Sequence, residues 1–177
     1  MALVVLLRGV NVGGHRTFRP SVLVKRLEHL GAVNIGAAGT FVFNKTVPQA
    51  KLRAELERRL PFETEIVVFP GREIGRLLSG DHFAGQPVRP DVVRFVSVLS
   101  RRPRSTPSLP MSFPPDGDWL VRVLARDDRF VVGQYRRHMK AIGYLGALDK
   151  AFGVPVTTRN WNTIDAIAGA LGDGAAT

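Results

Sequence analysis

Leu3-Val4-Val5-Leu6-Leu7 runs without a break into Arg8-Gly9-Val10-Asn11-Val12-Gly13-Gly14-His15-Arg16. Five consecutive apolar residues read as a strand buried on both faces, and the glycine- and asparagine-bearing stretch after it reads as a turn. The chain then enters a helix. Pro20 suits a first helical turn, and Leu23, Leu27 and Leu30 recur at i, i+4 and i+7. Lys25, Arg26 and Glu28 fall on the opposite side, and Gly31 is placed to close it. Residues 32–36 and 40–44 predict two short strands around a glycine-bearing turn. Pro48 opens a second helix striped by Leu52, Leu56 and Leu60, with Glu55 and Arg59 at pairing distance and Pro61 as the stop. Residues 65–69 predict another strand. The order is β-α-β-β-α-β, the split βαβ or ferredoxin-like α/β plait, over residues 1–80, with a short helix at Arg72–Ser79 trailing it.

The second half, residues 91–172, repeats strands with helices in a looser form. Val92–Leu99 is a clear strand. Residues 101–117 hold Pro103, Pro107, Pro110, Pro114 and Pro115, a density that resists a long helix and predicts an extended connection where a first plait helix would stand. A hairpin follows: residues 119–125 alternate, Asp127-Asp128 turn, and residues 130–133 return. A helix over residues 142–152 would put Ile142, Leu145, Leu148 and Phe152 inward. A strand at 156–158 leads to a last helix from Trp161, striped by Ile164, Ala168 and Leu171, with fraying expected from Gly172. The fold class is α/β (α+β): two ferredoxin-like plait halves, the second degenerate.

Composition narrows the chemistry. The 177 residues carry 25 Lys/Arg against 15 Asp/Glu, a net charge of +10, spread along the chain without a long basic block. A basic chain attracts polyanions whatever its role. Cysteine is absent, so disulfides, thiolate catalysis and cysteine–zinc sites are excluded. His15, His29, His82 and His138 stand too far apart to suggest a metal site. No apolar run is long enough to span a bilayer, and Ala2–Leu7 is too short for a signal-peptide core, so the expected location is the cytoplasm, with no membrane partner.

Two segments offer donors. The N-terminal loop lacks the Gly-Lys-Ser/Thr ending of a phosphate-binding P-loop and the Gly-x-Gly-x-x-Gly spacing of a dinucleotide fingerprint. Its glycines still allow close backbone approach and a nest of amides. Arg8 and Arg16 add forked donors, and Asn11 can donate and accept. The bland alternative is a tight turn in which Asn11 bonds its own backbone. Near the other end stands Thr157-Thr158-Arg159-Asn160-Trp161-Asn162-Thr163. Thr158 or Asn160 suits a helix N-cap, Arg159 would project beside the positive helix start, and Trp161 is either a stacking surface or core. The basic run 135–140 and the pair Asp127-Asp128 read more simply as solvated loop and turn.

Three stretches resemble a bacterial family, domain-of-unknown-function family 1697. Residues 6–14, the stretch Gly39-Thr40-Phe41-Val42-Phe43, and Phe152-Gly153-Val154-Pro155 continuing through Thr158-Arg159-Asn160-Trp161-Asn162-Thr163 are similar to its opening, middle and closing signatures. The resemblance implies two plait-like halves and carries no established activity. The chain departs where the family has Ser-Gly-Asn: Ala38-Gly39-Thr40 lacks the serine hydroxyl and the amide. The family's Ser-Lys-Leu has only Lys140 as a near counterpart.

The resulting expectation is one site for a small phosphate- or carboxylate-bearing ligand. It draws on Arg8, Gly9, Asn11, Gly13, Gly14 and Arg16 from the loop and on Thr158, Arg159, Asn160 and Trp161 from the closing motif. No catalytic residue, cofactor or metal is assigned, and an oligomer is left open. Two alternatives stand beside it: a single-stranded RNA/DNA-binding module using basic surface and the sheet aromatics Phe41 and Phe43, and an enzyme acting on a phosphorylated metabolite, for which no general base stands out.

Overall fold

The structure, a computed structural model, describes residues 1–11, 14 and 17–174, with residues 173 and 174 by backbone alone. It is a mixed α+β fold with two antiparallel sheets. The chain groups into two units, Met1–Leu78 together with Asn162–Thr177, and Ser79–Trp161.

The first unit contains β1 (Leu3–Leu7), α1 (Pro20–Arg26), a 3-10 turn at Glu28–Leu30, β2 (Ala32–Asn34), β3 (Thr40–Phe43), α2 (Gln49–Arg59), β4 (Ile66–Pro70) and α3 (Arg72–Ser79). Its sheet has the order β2-β3-β1-β4. β1 is central, with Val5 opposite Phe41 on one side and Val68 on the other. Leu3, Val5 and Leu7 enter a core with Phe41, Phe43, Leu23, Leu27, Leu52 and Leu56, while Val4 and Leu6, which point to the other face, are equally buried. That two-sided burial is why β1 is a continuous apolar run instead of an alternating one. Each such side chain contributes roughly 1.5–3 kcal/mol.

The predicted first helix is divided. α1 stops at Arg26, a 3-10 turn carries the chain to Leu30, and Gly31 closes it at φ +69°. On α2, Glu55 is bridged by Arg58 and Arg59, whose guanidiniums hold its carboxyl below the usual range, Arg58 first.

The last helix, α6 (Trp161–Gly174), groups with the first unit from Asn162 onward, where the sequence placed it with the second half. A Cβ added at Gly71 would lie 2.6 Å from Leu171 Cδ2, so glycine there lets α6 approach the turn between β4 and α3. Amphipathic periodicity marks a face for burial without saying which sheet receives it. α6 buries Ile164 and Ile167 and continues past Gly172, where fraying is predicted; residues 175–177 lie outside the described residues.

The second unit contains β5 (Val92–Leu99), β6 (Met111–Phe113), β7 (Val121–Asp127), β8 (Phe130–Arg136), α4 (Met139–Gly146), α5 (Leu148–Phe152) and β9 (Val156–Asn160). Its sheet has the order β6-β7-β8-β5-β9. β6 lies inside the proline-rich stretch and pairs with β7, a strand that local composition conceals. The helix expected over 142–152 begins at Met139, where His138 Nδ1 accepts from the Lys140 N–H at 3.1 Å, and it breaks at Ala147. Ile142 is therefore 75% exposed, and Ala141, Leu148 and Phe152 form the inward face.

The faces of this sheet differ. One packs Phe95, Val121, Val123 and Val131 against α4 and α5. The register puts Val96 opposite Arg159 and Val132, and puts Gln134 opposite Arg94 and Arg122. Strand alternation adds Arg136 and Thr157 to that same second face. A bulge between Val123 and Ala125 shifts the register of β7 against β8.

Candidate functional site

The loop after β1 is held by its neighbours in the first unit. The Arg8 N–H donates to Glu65 O at 3.1 Å, and Thr64 Oγ1 donates to Arg8 O at 2.5 Å. Gly9 takes φ +65° and Gly14 φ +79°, the left-handed region that favours glycine. Asn11 adopts φ +54° and spans a gap: its Nδ2 donates to Ala37 O at 2.9 Å, and its Oδ1 accepts from the Phe18 N–H at 3.0 Å. Asn11 thus ties the loop to the β2–β3 turn and to the entry of α1. Arg8 is partly buried; Gly13 and Arg16 lie outside the described residues.

Gly39 explains why the middle signature needs glycine. It sits at φ +80°, its carbonyl accepts from Leu7 N at 2.7 Å, and an added Cβ would come within 2.6 Å of Val10 Cγ2 and 2.8 Å of Leu7 Cβ. The first and second signatures meet at this point. Phe41 and Phe43 are fully buried, so neither offers a ring to a base.

Thr158, Arg159 and Asn160 end β9, the edge strand of the second sheet, and Trp161 starts α6. Thr158 Oγ1 shares a 2.6 Å hydrogen bond with Ser97 Oγ across the β5–β9 pair, which turns it into the sheet instead of toward the helix start. Asn160 is exposed at the residue before the helix. Trp161 meets the Phe83 ring edge-on at 4.9 Å and His82 at 6.4 Å, and Arg94 lies 4.5 Å over Phe83.

Arg159 is the distinctive member. Its side chain is drawn inward until the residue is 8% exposed, its Nη1 donates to Thr158 O at 2.8 Å, and burial pulls the guanidinium down to about 10. Two residues before it on the same face, Thr157 is buried, and its Oγ1 has no hydrogen-bond partner among the described residues. A lone buried hydroxyl costs roughly 1–3 kcal/mol, so such groups call for explanation.

The sequence missed a second arrangement in this unit. Arg122 and Arg136 both lie against the indole of Trp119, their Cζ atoms 4.5 and 4.7 Å from its ring centroid. With Gln86, Arg89 and Gln134 they line a cavity of about 230 Å³. The residues are scattered over fifty positions, and only strand pairing unites them. No helix among the described residues is long and apolar enough to cross a membrane.

A family model described as "Protein of unknown function (DUF1697)" matches residues 1–110. The conserved bacterial protein SP0830 from Streptococcus pneumoniae has a similar structure, with a TM-score of 0.60 at 14% identity, covering 96% of this chain and 98% of that one. At that identity the likeness speaks to fold alone. Among curated proteins nothing matches.

Proposed function

We propose that this chain, which belongs to the DUF1697 family of proteins of unknown function, binds a small phosphate- or carboxylate-bearing ligand through the closing motif, with Arg159 as the anchoring cation. One observation carries the reading: a guanidinium held away from solvent on the same strand face as a buried threonine hydroxyl that lacks a partner among the described residues. A buried cation disfavours folding, and the depression from the ordinary guanidinium value to about 10 corresponds to about 3 kcal/mol. The sign is a cost to folding at every pH below about 10. Such a cost is retained where it serves a ligand, and an anion would add charge-assisted hydrogen bonds at Arg159 and an acceptor for Thr157 Oγ1. Asn160 and the start of α6 favour negative charge at the same junction. On the N-terminal loop of the first unit, taken by itself, Asn11 has both ends of its amide engaged within the fold.

The test is a thermal-shift panel of sugar phosphates, nucleotides and dicarboxylates on the wild type and Arg159→Met. Ligand at a hundredfold excess over Kd stabilises a native-only binder by about 2.7 kcal/mol. Arg159→Met is expected to abolish the shift that dicarboxylates give and to lower the one that phosphates give, while leaving the ligand-free protein as stable as the wild type or more so. If the substitution instead costs roughly 3–5 kcal/mol, as breaking a structural buried pair does, and the ligand shift survives it, Arg159 is structural and the reading fails.

A further inference from the structure

We infer that the Trp119 cavity of the second unit is a binding site in its own right, separate from Arg159, and that it takes a phosphate group, either free or at the end of a phosphomonoester. Arg122 on β7 and Arg159 on β9 are three strands apart, roughly 14 Å at ordinary strand spacing.

Three guanidiniums, those of Arg89, Arg122 and Arg136, converge on one small cavity. Asp91 accounts for Arg89, with contacts of 3.1 and 3.3 Å. Among the described residues neither Arg122 nor Arg136 has a carboxylate partner. Arg122 Nη1 reaches only Gln86 Oε1, at 3.5 Å, and Arg136 Nε is buried without a hydrogen bond. Two like charges are thus gathered on a single indole, an arrangement that an anion in the cavity both of them line relieves.

Geometry then selects the anion. Trp119 has guanidiniums over its ring, so it acts as the platform that orients them and does not offer a stacking face to a base. The cavity is lined by arginine guanidiniums and by the amides of Gln86 and Gln134, the latter almost fully buried. Forks arriving from Arg122 and Arg136, with the amides of Gln86 and Gln134 beside them, suit a tetrahedral oxyanion with several oxygens better than a two-oxygen carboxylate. A volume of about 230 Å³ lies below the range of drug-sized ligand sites and suits a phosphate head group.

The experiment titrates the full chain with inorganic phosphate and, separately, with glycerol phosphate, following heat by calorimetry at constant ionic strength with chloride and acetate as controls. Wild type and Arg159→Met are expected to bind phosphate. Arg122→Gln and Arg136→Gln, with unchanged circular dichroism, are expected to bind about tenfold more weakly or worse. If a glutamine variant fails to fold, Arg136→Lys replaces it: lysine keeps the charge, removes the fork and weakens binding. Tighter binding of glycerol phosphate assigns the site to phosphomonoesters, and equal or weaker binding assigns it to the free ion. Unaltered phosphate affinity in the Arg122 and Arg136 variants, acetate binding equal to phosphate, or no phosphate binding by the wild type at millimolar concentration overturns the inference. Phosphate binding lost in Arg159→Met but retained in Arg122→Gln and Arg136→Gln would leave the Arg159 reading standing and end this one.

Discussion

The two sheets solve the same problem of burial with different chemistry. In the first, β1 is apolar on both faces, and its neighbours β3 and β4 are buried throughout. In the second, one face is a core of Phe95, Val121, Val123 and Val131, and the other carries Arg94, Arg122, Gln134, Arg136 and Arg159 among its valines. Apolar burial on both sides is sufficient for the first sheet, whereas the second gathers its arginines on one face, where several bond the fold itself, as Arg94 does to Gln86 O at 3.0 Å. The signature residues of the N-terminal loop teach the complementary lesson. Asn11 and Gly39 join the loop to the β2–β3 turn, which accounts for their residue types without a ligand.

The contrast yields graded tests by urea denaturation. The largest effect is expected for Phe41→Ala, which empties the first core and costs roughly 3–5 kcal/mol, against less than about 1 kcal/mol for Arg122→Ala on the second sheet's polar face; comparable losses would erase the distinction between the two. Next comes Gly133→Ala. Its methyl would meet Arg122 O at 2.4 Å and Phe95 Cζ at 2.7 Å, a cost of about 1–3 kcal/mol from overpacking. Asn11→Ala removes two hydrogen bonds and strains a left-handed residue, for a loss of about 1–3 kcal/mol; a neutral result would release Asn11 for a binding role. The smallest is Glu55→Gln on α2. Because the folded carboxyl is held low, its contribution is present above the ordinary glutamate pKa and fades as the pH falls, so the variant should differ detectably from wild type at neutral pH in low salt and converge with it in acid or high salt.

Much of the fold was legible because it is local. Arg72–Ser79 and Val92–Leu99 have the bounds their periodicity predicts, and Pro48 and Gly31 punctuate helices where expected. What escaped depends on partners far along the chain. β6 is a strand only because β7 pairs with it. Ile142 reads as inward until the helix breaks at Ala147, which unlinks its phase from Leu148 and Phe152 and leaves that side chain in solvent. The candidate site divides in the same way. Arg159 could be singled out by its motif, but its burial could not be foreseen, and neither could the meeting of Trp119, Arg122 and Arg136, which no spacing rule links.

The bulge in β7 sorts charge. Plain alternation would put Arg126 on the same face as Arg122. The extra residue re-phases the strand, so that Arg122 lies opposite Gln134 while Arg126 lies opposite Val131, whose side chain belongs to the core face. Arg126 then bends to the hairpin tip, where its Nε donates to Asp128 O at 2.7 Å. Deleting Leu124 would undo that phase and bring another cation onto the face that holds the Trp119 cavity, so a single backbone irregularity limits how many positive charges that face carries.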